Sequence, residues 1–526
     1  MATLCINGVE IAAQPELSLF EQAESVGIHV PTSCRMQGKC KECIVEVAQG
    51  MELLSPRTGL EQHLRGNFRL SCQTHVVGEG LVQCHTMRRG AMRIETDHAL
   101  ASSTLRAIVE PSAHRYGLAL DLGTTTVVLR LVDLQSAEVI AVNSFENPQR
   151  FGGSEVMSRI QYDTDNRGKL LMRTFAGYLS RAIQEFPVDP REIREMVVCG
   201  NSTMRDLFFG LNVYTIGQNP YRSITEIELA AGKRSSTSLL STGRQCLLPI
   251  HPEARVWGAP IISGHVGADA AACMLAVDLA HEHRLVAIMD IGTNTELIVG
   301  NRHRMMAASC PAGPAFEGGA IACGMPALDG AIEDVLIDDH GRFHLTVIGG
   351  AQPQGLCGSG LVALLSELLR TGRMNEMGRF ADDESRIDIA PGVYLLESDV
   401  NELAQAKGAN AAGLHTVFSE FGIDFDQIEV FYLAGGFGRH LSVEAAQRIG
   451  LIPNLPAARV VQAGNASIEG ATIALLSPSK RRELEAMVRG VAHCRLETHP
   501  RFFDFFVEGC QFKSIESLRE VAAAWS

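Results

Sequence analysis

Three sets of residues in this chain have types and spacings suited to chemistry. The first is the stretch Ser33–Cys43, which holds Cys34, Cys40 and Cys43 on one short loop, with Cys72 returning after 28 intervening residues. Thiolates this close in sequence converge only if the loop wraps around something, and four of them satisfy two irons bridged by sulfide, a [2Fe–2S] cluster. Gly38 gives the loop the backbone freedom that wrapping requires. Two plainer readings compete. A four-cysteine zinc site more usually shows two C-x2-C knuckles, and only Cys40 and Cys43 make one. A pair of disulfides calls for an oxidising compartment, and nothing marks the chain as secreted.

The second set is a repeated turn. Asp121-Leu122-Gly123-Thr124-Thr125-Thr126 and Asp290-Ile291-Gly292-Thr293-Asn294-Thr295 share D-x-G-T-x-T, their aspartates 169 residues apart. Each lies between two apolar runs and reads as a β-hairpin whose Gly/Thr turn exposes N–H groups and hydroxyls to phosphate oxygens. The adjacent aspartate can hold Mg²⁺ through water. One such turn is weak evidence, whereas two at domain spacing imply two similar lobes.

The third set is glycine-rich. Glu317, in the loop Cys310–Gly319, could orient an attacking water, or be an ordinary loop carboxylate. Cys357-Gly358-Ser359-Gly360 opens a helix over Leu361–Leu369, with Ser359 as its cap, and places Gly358 and Gly360 among the candidate ligand-contacting glycines. Gly435 and Gly436 end the strand that starts at Val430, leaving side-chain-free backbone against which a base or ribose could lie.

These residues need elements to position them. Residues 3–6 and 9–12 alternate around Asn7-Gly8, a strong hairpin signal, and Leu17–Val26 reads as a helix with Ser18 near its cap. Hairpin, helix, cysteine loop and a strand over Cys43–Val47 follow the order of a β-grasp domain, ending near residue 85. Residues 86–115 read as a connector, in part helical, whose Arg88, Arg89 and Arg93 form a solvated face in the plainer reading and a docking site in the alternative one. The first lobe is expected over 116–280, with a middle segment of about 116–210. In it, Glu195–Met204 and Ile261–Asp269 read as strands running into helices, the first capped by Ser202 or Thr203, the second continuing as Ala270–Leu279. His265 reads as a structural histidine. The second lobe, 281–526, carries a C-terminal extension: a helix over Arg481–Val488, a strand-like Cys494–Glu497, and Phe502–Phe506, most simply core cover and, where exposed, a cluster that could bind a partner. The fold class is α/β with α+β.

With 526 residues, 46% of them hydrophobic, the chain can bury several cores. Its net charge of −14, with no long basic stretch, argues against nucleic acid. Its apolar runs are too short for a membrane span, and a cytoplasmic location is expected. The ten remaining cysteines lack ligand spacing and read as buried free thiols.

The paired D-x-G-T hairpins and the Leu433-Ala434-Gly435-Gly436 turn resemble the actin-like and sugar-kinase ATPase superfamily, with two RNase H-like lobes. The cysteine spacing is similar to that of a [2Fe–2S] ferredoxin, closer to the adrenodoxin-like branch than to the plant type. With G-N-S-T-M, S-G-H-V-G-A-D-A and M-D-I-G-T-N-T-E between them, nearly the whole chain resembles the reductive activators of corrinoid enzymes. The resemblance implies an ATPase that passes an electron from its cluster to a Co(II) corrinoid protein or corrinoid-dependent methyltransferase, restoring Co(I), and that is refilled by a reductase. Cys34, Cys40, Cys43 and Cys72 would hold the cluster. Asp121, Gly123, Thr124 and Thr125, with Asp290, Gly292, Thr293 and Asn294, would hold ATP phosphates and Mg²⁺, while Gly435 and Gly436 would face the nucleoside. A family division near residue 210 would put Asp121 outside the nucleotide site. ATPases of this type often pair, so a homodimer is possible. The competing readings are a sugar or acid kinase with a redox domain, and an ATP-dependent carrier or scaffold for another low-potential enzyme.

Overall fold

The computed structural model describes residues 2–88, 102–381, 384–436, 441–515 and 517, with backbone only for 102–104. Residues 89–101 of the expected connector, including Arg89 and Arg93, and Phe437 and Gly438 after the glycine pair lie outside the described residues.

The N-terminal domain forms as its turn chemistry dictates. Strands β1 (Thr3–Ile6) and β2 (Val9–Ala12) pair antiparallel around Asn7 and Gly8, both with positive φ (48° and 84°), as a two-residue hairpin turn requires. Ser18 caps the helix Leu19–Ser25 in a capping box with Glu21, and the helix buries Leu19, Phe20 and Ala23. Strands β3 (Ile44–Gln49), β4 (Phe68–Leu70) and β5 (Leu81–Thr86) complete a five-stranded sheet in the order β2-β1-β5-β3-β4, with β1 and β5 parallel. This is the β-grasp arrangement. The cysteine loop lies between the helix and β3.

The first lobe is built on β6 (Tyr116–Leu122), β7 (Thr126–Asp133), β8 (Val139–Glu146), β9 (Ile193–Gly200), β10 (Leu239–Thr242) and β11 (Arg255–Gly258). The antiparallel meander β8-β7-β6 continues in parallel through β9 and β11. This sheet runs well past residue 210, so the short middle segment is only part of one layer.

The second lobe repeats the plan. Strands β12 (Val286–Asp290), β13 (Thr295–Asn301) and β14 (Arg304–Cys310) form the meander. An insertion follows, with β15 (Ala331–Ile337), β16 (Phe343–Val347) and β17 (Gly355–Leu356) in one sheet and β18 (Arg386–Ala390) with β19 (Val393–Leu396) in a hairpin. Strands β20 (Val430–Ala434) and β21 (Val460–Gly464) then extend β12 in parallel, and β22 (Val491–His493) joins β14 at the far edge.

Several local expectations shift. Residues 494–497 leave β22 and turn into a short 3-10 helix at Leu496–Thr498. Helical spacing splits the phenylalanine run: Phe505 is buried while Phe503 is 71% exposed, so the run is core cover on one face only. The caps also move by one or two residues: Asn201 caps Ser202–Phe208, and Cys357 precedes Gly358–Arg370.

The lobes exchange helices. Ala268–Ala276 follows β11 of the first lobe and Ala466–Leu476 follows β21 of the second, and the two cross in one apolar core. Gly470 makes the crossing possible, since a Cβ there would sit 2.0 Å from the Ala272 carbonyl oxygen. Overpacking a core costs about 1–3 kcal/mol. Gly470→Ala is therefore expected to lower the melting temperature by roughly 3–10 °C, read by calorimetry.

Candidate functional site

The D-x-G-T turns face each other across a cleft of about 660 Å³ between the lobes. Asp121, Gly123, Thr124 and Thr125 line one side, and Asp290, Gly292, Thr293, Asn294, Gly435 and Gly436 the other, with Glu317 between them. The turns touch directly: the Thr125 and Thr293 hydroxyls are 2.7 Å apart, and both donate to Glu317 Oε2. Asn147 braces the first turn, donating from Nδ2 to the Gly123 carbonyl (2.8 Å) and from its backbone N–H to that of Thr125 (2.6 Å).

The exchanged helices hold the aspartates crosswise. Asn465 and Ser467, at the start of the second-lobe helix, donate to the first-lobe Asp121 at 2.8 Å each. Cys273, on the first-lobe helix, donates its thiol to the second-lobe Asp290 at 3.3 Å. Asp121 therefore shares one cleft with Asp290.

Besides Thr126 and Ile291 within the two turn motifs, sequence reasoning missed five lining residues: Asn201, Asp269, Glu296, Asn465 and Ser467. Asp269 and Glu296 sit inside strings already singled out, S-G-H-V-G-A-D-A and M-D-I-G-T-N-T-E. Asn201 is the first-lobe counterpart of Gly436. Gly200 (φ 143°) ends β9 against the Leu122 carbonyl just as Gly435 (φ 111°) follows β20 against that of Ile291, with a Cβ landing 2.2 and 2.3 Å from these oxygens. No sequence signal pointed to Asn465 or Ser467. Gly358 and Gly360 are not among the lining residues. Gly360 has a packing role instead, because a Cβ would meet the Ile332 carbonyl oxygen at 2.1 Å.

Five carboxylates share this space, and their charges oppose one another. Withdrawal from bulk water, then the neighbouring Asp121 charge, pushes Asp290 up to about 7. Burial pushes Asp269 up to about 7 as well, reinforced by Asp121 and Asp290, and drives Glu296 well above the carboxylate range. Burial also raises Asp121 and Glu317, against the hydrogen bonds from Asn465 and Ser467 and from Thr293 and Thr125.

The cysteine loop is wound tightly. Arg35, Met36, Gly38 and Lys41 all take positive φ, between 52° and 68°. For the three non-glycine residues this is a strained conformation of the kind that clusters at ligand sites. The sulfurs fall into two pairs. Cys43 and Cys72 lie 3.2 Å apart, and Cys34 sits beside the Cys40 thiol. Among the described residues no three cysteine sulfurs lie within 4.8 Å of one another. Four sulfurs around one tetrahedral zinc at 2.3 Å would all be about 3.8 Å apart, so this paired arrangement suits two metal ions better than one. Burial alone would push the Cys34 thiol up, but N–H groups of Cys40, Lys39 and Gln37 and the Cys40 thiol bring it below its ordinary value. Gln73 donates from Nε2 to Cys72 Sγ at 3.5 Å and to the Met36 carbonyl at 3.2 Å.

This loop packs against the first lobe. Arg173, on the helix Leu170–Gln184, donates to the Cys40 carbonyl and to Glu42. Arg88, expected on a solvated face, instead bridges to Glu185 (2.8 Å) and Asn143 (3.0 Å) of that lobe. His265, half-buried, packs against Tyr221 at 5.2 Å between ring centroids, in keeping with a structural role.

Comparison with known families gives three matches in chain order. Residues 3–77 match the 2Fe-2S iron-sulfur cluster binding domain, 116–282 the RACo middle region, and 284–521 the C-terminal domain of RACo, the ASKHA domain. The two RACo matches lie end to end and together span nearly all of the chain from residue 116 onward. The chain is similar to the corrinoid activation enzyme RamQ of Eubacterium limosum, 27% identical over 96% of this chain and 97% of that protein. A [Co(II) methylated amine-specific corrinoid protein] reductase of Methanosarcina barkeri is 25% identical over 74% of this chain and 76% of its own. A solved reductive activator for corrinoid, iron-sulfur protein superposes with a TM-score of 0.70 at 24% identity, covering 98% and 99% of the two chains. No helix among the described residues is long and apolar enough to cross a membrane.

Proposed function

We propose that this chain is an ATP-dependent reductive activator, which passes one electron from a [2Fe–2S] cluster to a Co(II) corrinoid protein and restores Co(I). The observation that carries the reading is the pairing of two sites: a cleft in which both D-x-G-T turns, two aspartates and a glycine pair converge, and a cysteine-loop domain seated on one of its lobes. The named activities of the relatives support it.

Cys34, Cys40, Cys43 and Cys72 hold the cluster, which supplies a single low-potential electron when bound. Gly123, Thr124 and Thr125 with Gly292, Thr293 and Asn294 offer N–H groups and hydroxyls to the phosphates of ATP·Mg²⁺, the cation offsetting Asp121 and Asp290. Gly435 and Gly436 leave room for the nucleoside. Glu317, held by Thr125 and Thr293, joins the two turns, and its proposed role is to orient the attacking water.

Reduction of Co(II) is generally uphill for a donor near about −400 mV, and each 59 mV of shortfall costs a factor of ten, about 1.4 kcal/mol. Nucleotide helps only through differential binding of the partner in its two states. The crossed helices offer the gearing, because each ties one lobe's aspartate to the other lobe's chain.

The test uses the reconstituted, pre-reduced protein with a Co(II) corrinoid protein and follows the Co(I) visible spectrum. Co(I) is expected to accumulate with ATP·Mg²⁺ and to stay near baseline without it. Co(I) formation indifferent to ATP, or phosphorylation of a small substrate in its place, sinks the reading.

A further inference from the structure

We propose that Arg173, a residue of the ATPase lobe, is a redox-tuning residue of the cluster held by the ferredoxin domain. The inference rests on the cluster assignment above and goes beyond it, since it places part of the control of the cluster's potential on the lobe that also bears the Asp121 turn.

Arg173 Nη2 donates to the backbone carbonyl of Cys40 at 2.8 Å and to Glu42 Oε1 at 2.7 Å. Cys40 is a cluster ligand, 5% exposed, and Glu42 directly precedes the ligand Cys43. The guanidinium thus sits on the backbone of one ligand and on the side chain of the residue that precedes another. Its side chain is 34% exposed and that of Glu42 11%, so water screens this pair only in part. The loop's own Arg35 and Lys39 are exposed, and solvent weakens their influence.

The seat that holds Arg173 there is built from separate contacts. Arg150 pairs with Glu46 on β3 at 2.7 Å, and the Tyr178 hydroxyl accepts from the Met87 N–H at 3.2 Å. Gly177 lets the helix approach Pro31, whose Cβ would be 3.3 Å from a Cβ placed there. Buried apolar residues of the ferredoxin domain and the first lobe form one continuous core. The contact belongs to a packed interface and not to a loose collision of surfaces.

The electrostatic sign follows directly. Reduction adds one negative charge to the cluster, a nearby cation favours that state, and hydrogen bonds and charge around the sulfurs are established levers on cluster potential. Removing the guanidinium also leaves Glu42 uncompensated, which disfavours reduction further. Removing the Glu42 charge acts the other way. Because Arg173 rides on the ATPase lobe, any change in how that lobe seats the ferredoxin domain changes the electron's driving force, and by linkage cluster reduction biases the seating.

The experiment measures midpoint potentials by EPR-monitored redox titration of the full-length, cluster-loaded chain and its Arg173→Gln, Arg173→Lys and Glu42→Gln variants. Arg173→Gln is expected to become about tenfold harder to reduce, a shift of about 59 mV for one electron, with Arg173→Lys moving less than half as far. Glu42→Gln is expected to become easier to reduce. A normal cluster spectrum with an Arg173→Gln potential within about twofold of the parent, or a shift of both neutralising variants in the same direction, overturns the proposal while leaving the proposed function intact. Should Arg173→Gln fail to take up a cluster, the sign of the Glu42→Gln shift decides. A parent chain that shows no [2Fe–2S] absorption after reconstitution overturns the cluster assignment and this inference together.

Discussion

An Asp290→Asn chain is expected to keep its iron–sulfur spectrum, to melt no lower than the parent, and to turn over ATP roughly 10³-fold more slowly, the scale that follows when a preorganised charge at a phosphate site is removed. A large loss is expected because Asp290 lines the cleft together with Asp121 and is proposed to be offset there by the cation of ATP·Mg²⁺. The retained stability follows from the same geometry. In the cleft Asp290 is pushed up to about 7 by withdrawal from water and by Asp121, so its charge works against folding at neutral pH. The sign is that of an acid with a raised folded-state pKa: the folded chain holds a proton that the unfolded chain has lost, and stability falls as pH rises from about 4 towards 7. The amide is uncharged throughout and removes that cost. Phosphate-release kinetics alongside calorimetry check both halves. A variant with parental turnover, or one that is both inactive and clearly destabilised, contradicts the assignment.

Cys40→Ser produces the complementary phenotype. Its visible absorption and its electron delivery to Co(II) are expected to disappear, while ATP binding and hydrolysis persist. A serine oxygen at this position replaces the soft thiolate on which iron–sulfur ligation depends. Its effect on the fold is small, because the domain is held by β1–β5 and by apolar residues such as Leu4, Ile44, Leu70 and Val82, all buried. The Arg173 bond to residue 40 goes to the backbone carbonyl and survives the substitution. Absorption spectroscopy, iron content and nucleotide titration measure the three outcomes separately. An unchanged spectrum refutes the ligand role of Cys40.

Much of this molecule is legible from short-range chemistry. Asn7-Gly8 demands a left-handed two-residue turn, Ser18 with Glu21 demands a helix start, and two copies of D-x-G-T-x-T announce two lobes. Each signal lies within a few residues of the element it shapes, which is why such signals survive without knowledge of the fold. Caps were less legible. Ser202 and Ser359 have the right chemistry, but the strands preceding them end early enough that Asn201 and Cys357 take the cap positions.

By itself the sequence singled out the four cysteines as candidate ligands, the two D-x-G-T turns and the order of the domains, because ligand spacing and turn composition are local properties of a chain. Only the tertiary structure decided that Asp121 and Asp290 share a cleft, that Asn465 and Ser467 hold Asp121 from 344 and 346 residues away, and that Gly360 packs against a carbonyl instead of lining the cleft. It alone brought Arg173 to a cysteine loop 133 residues earlier in the chain. The physical reason is common to all four: each depends on how sheets stack and helices cross, and that geometry is set by the burial of whole apolar faces, which no single motif encodes.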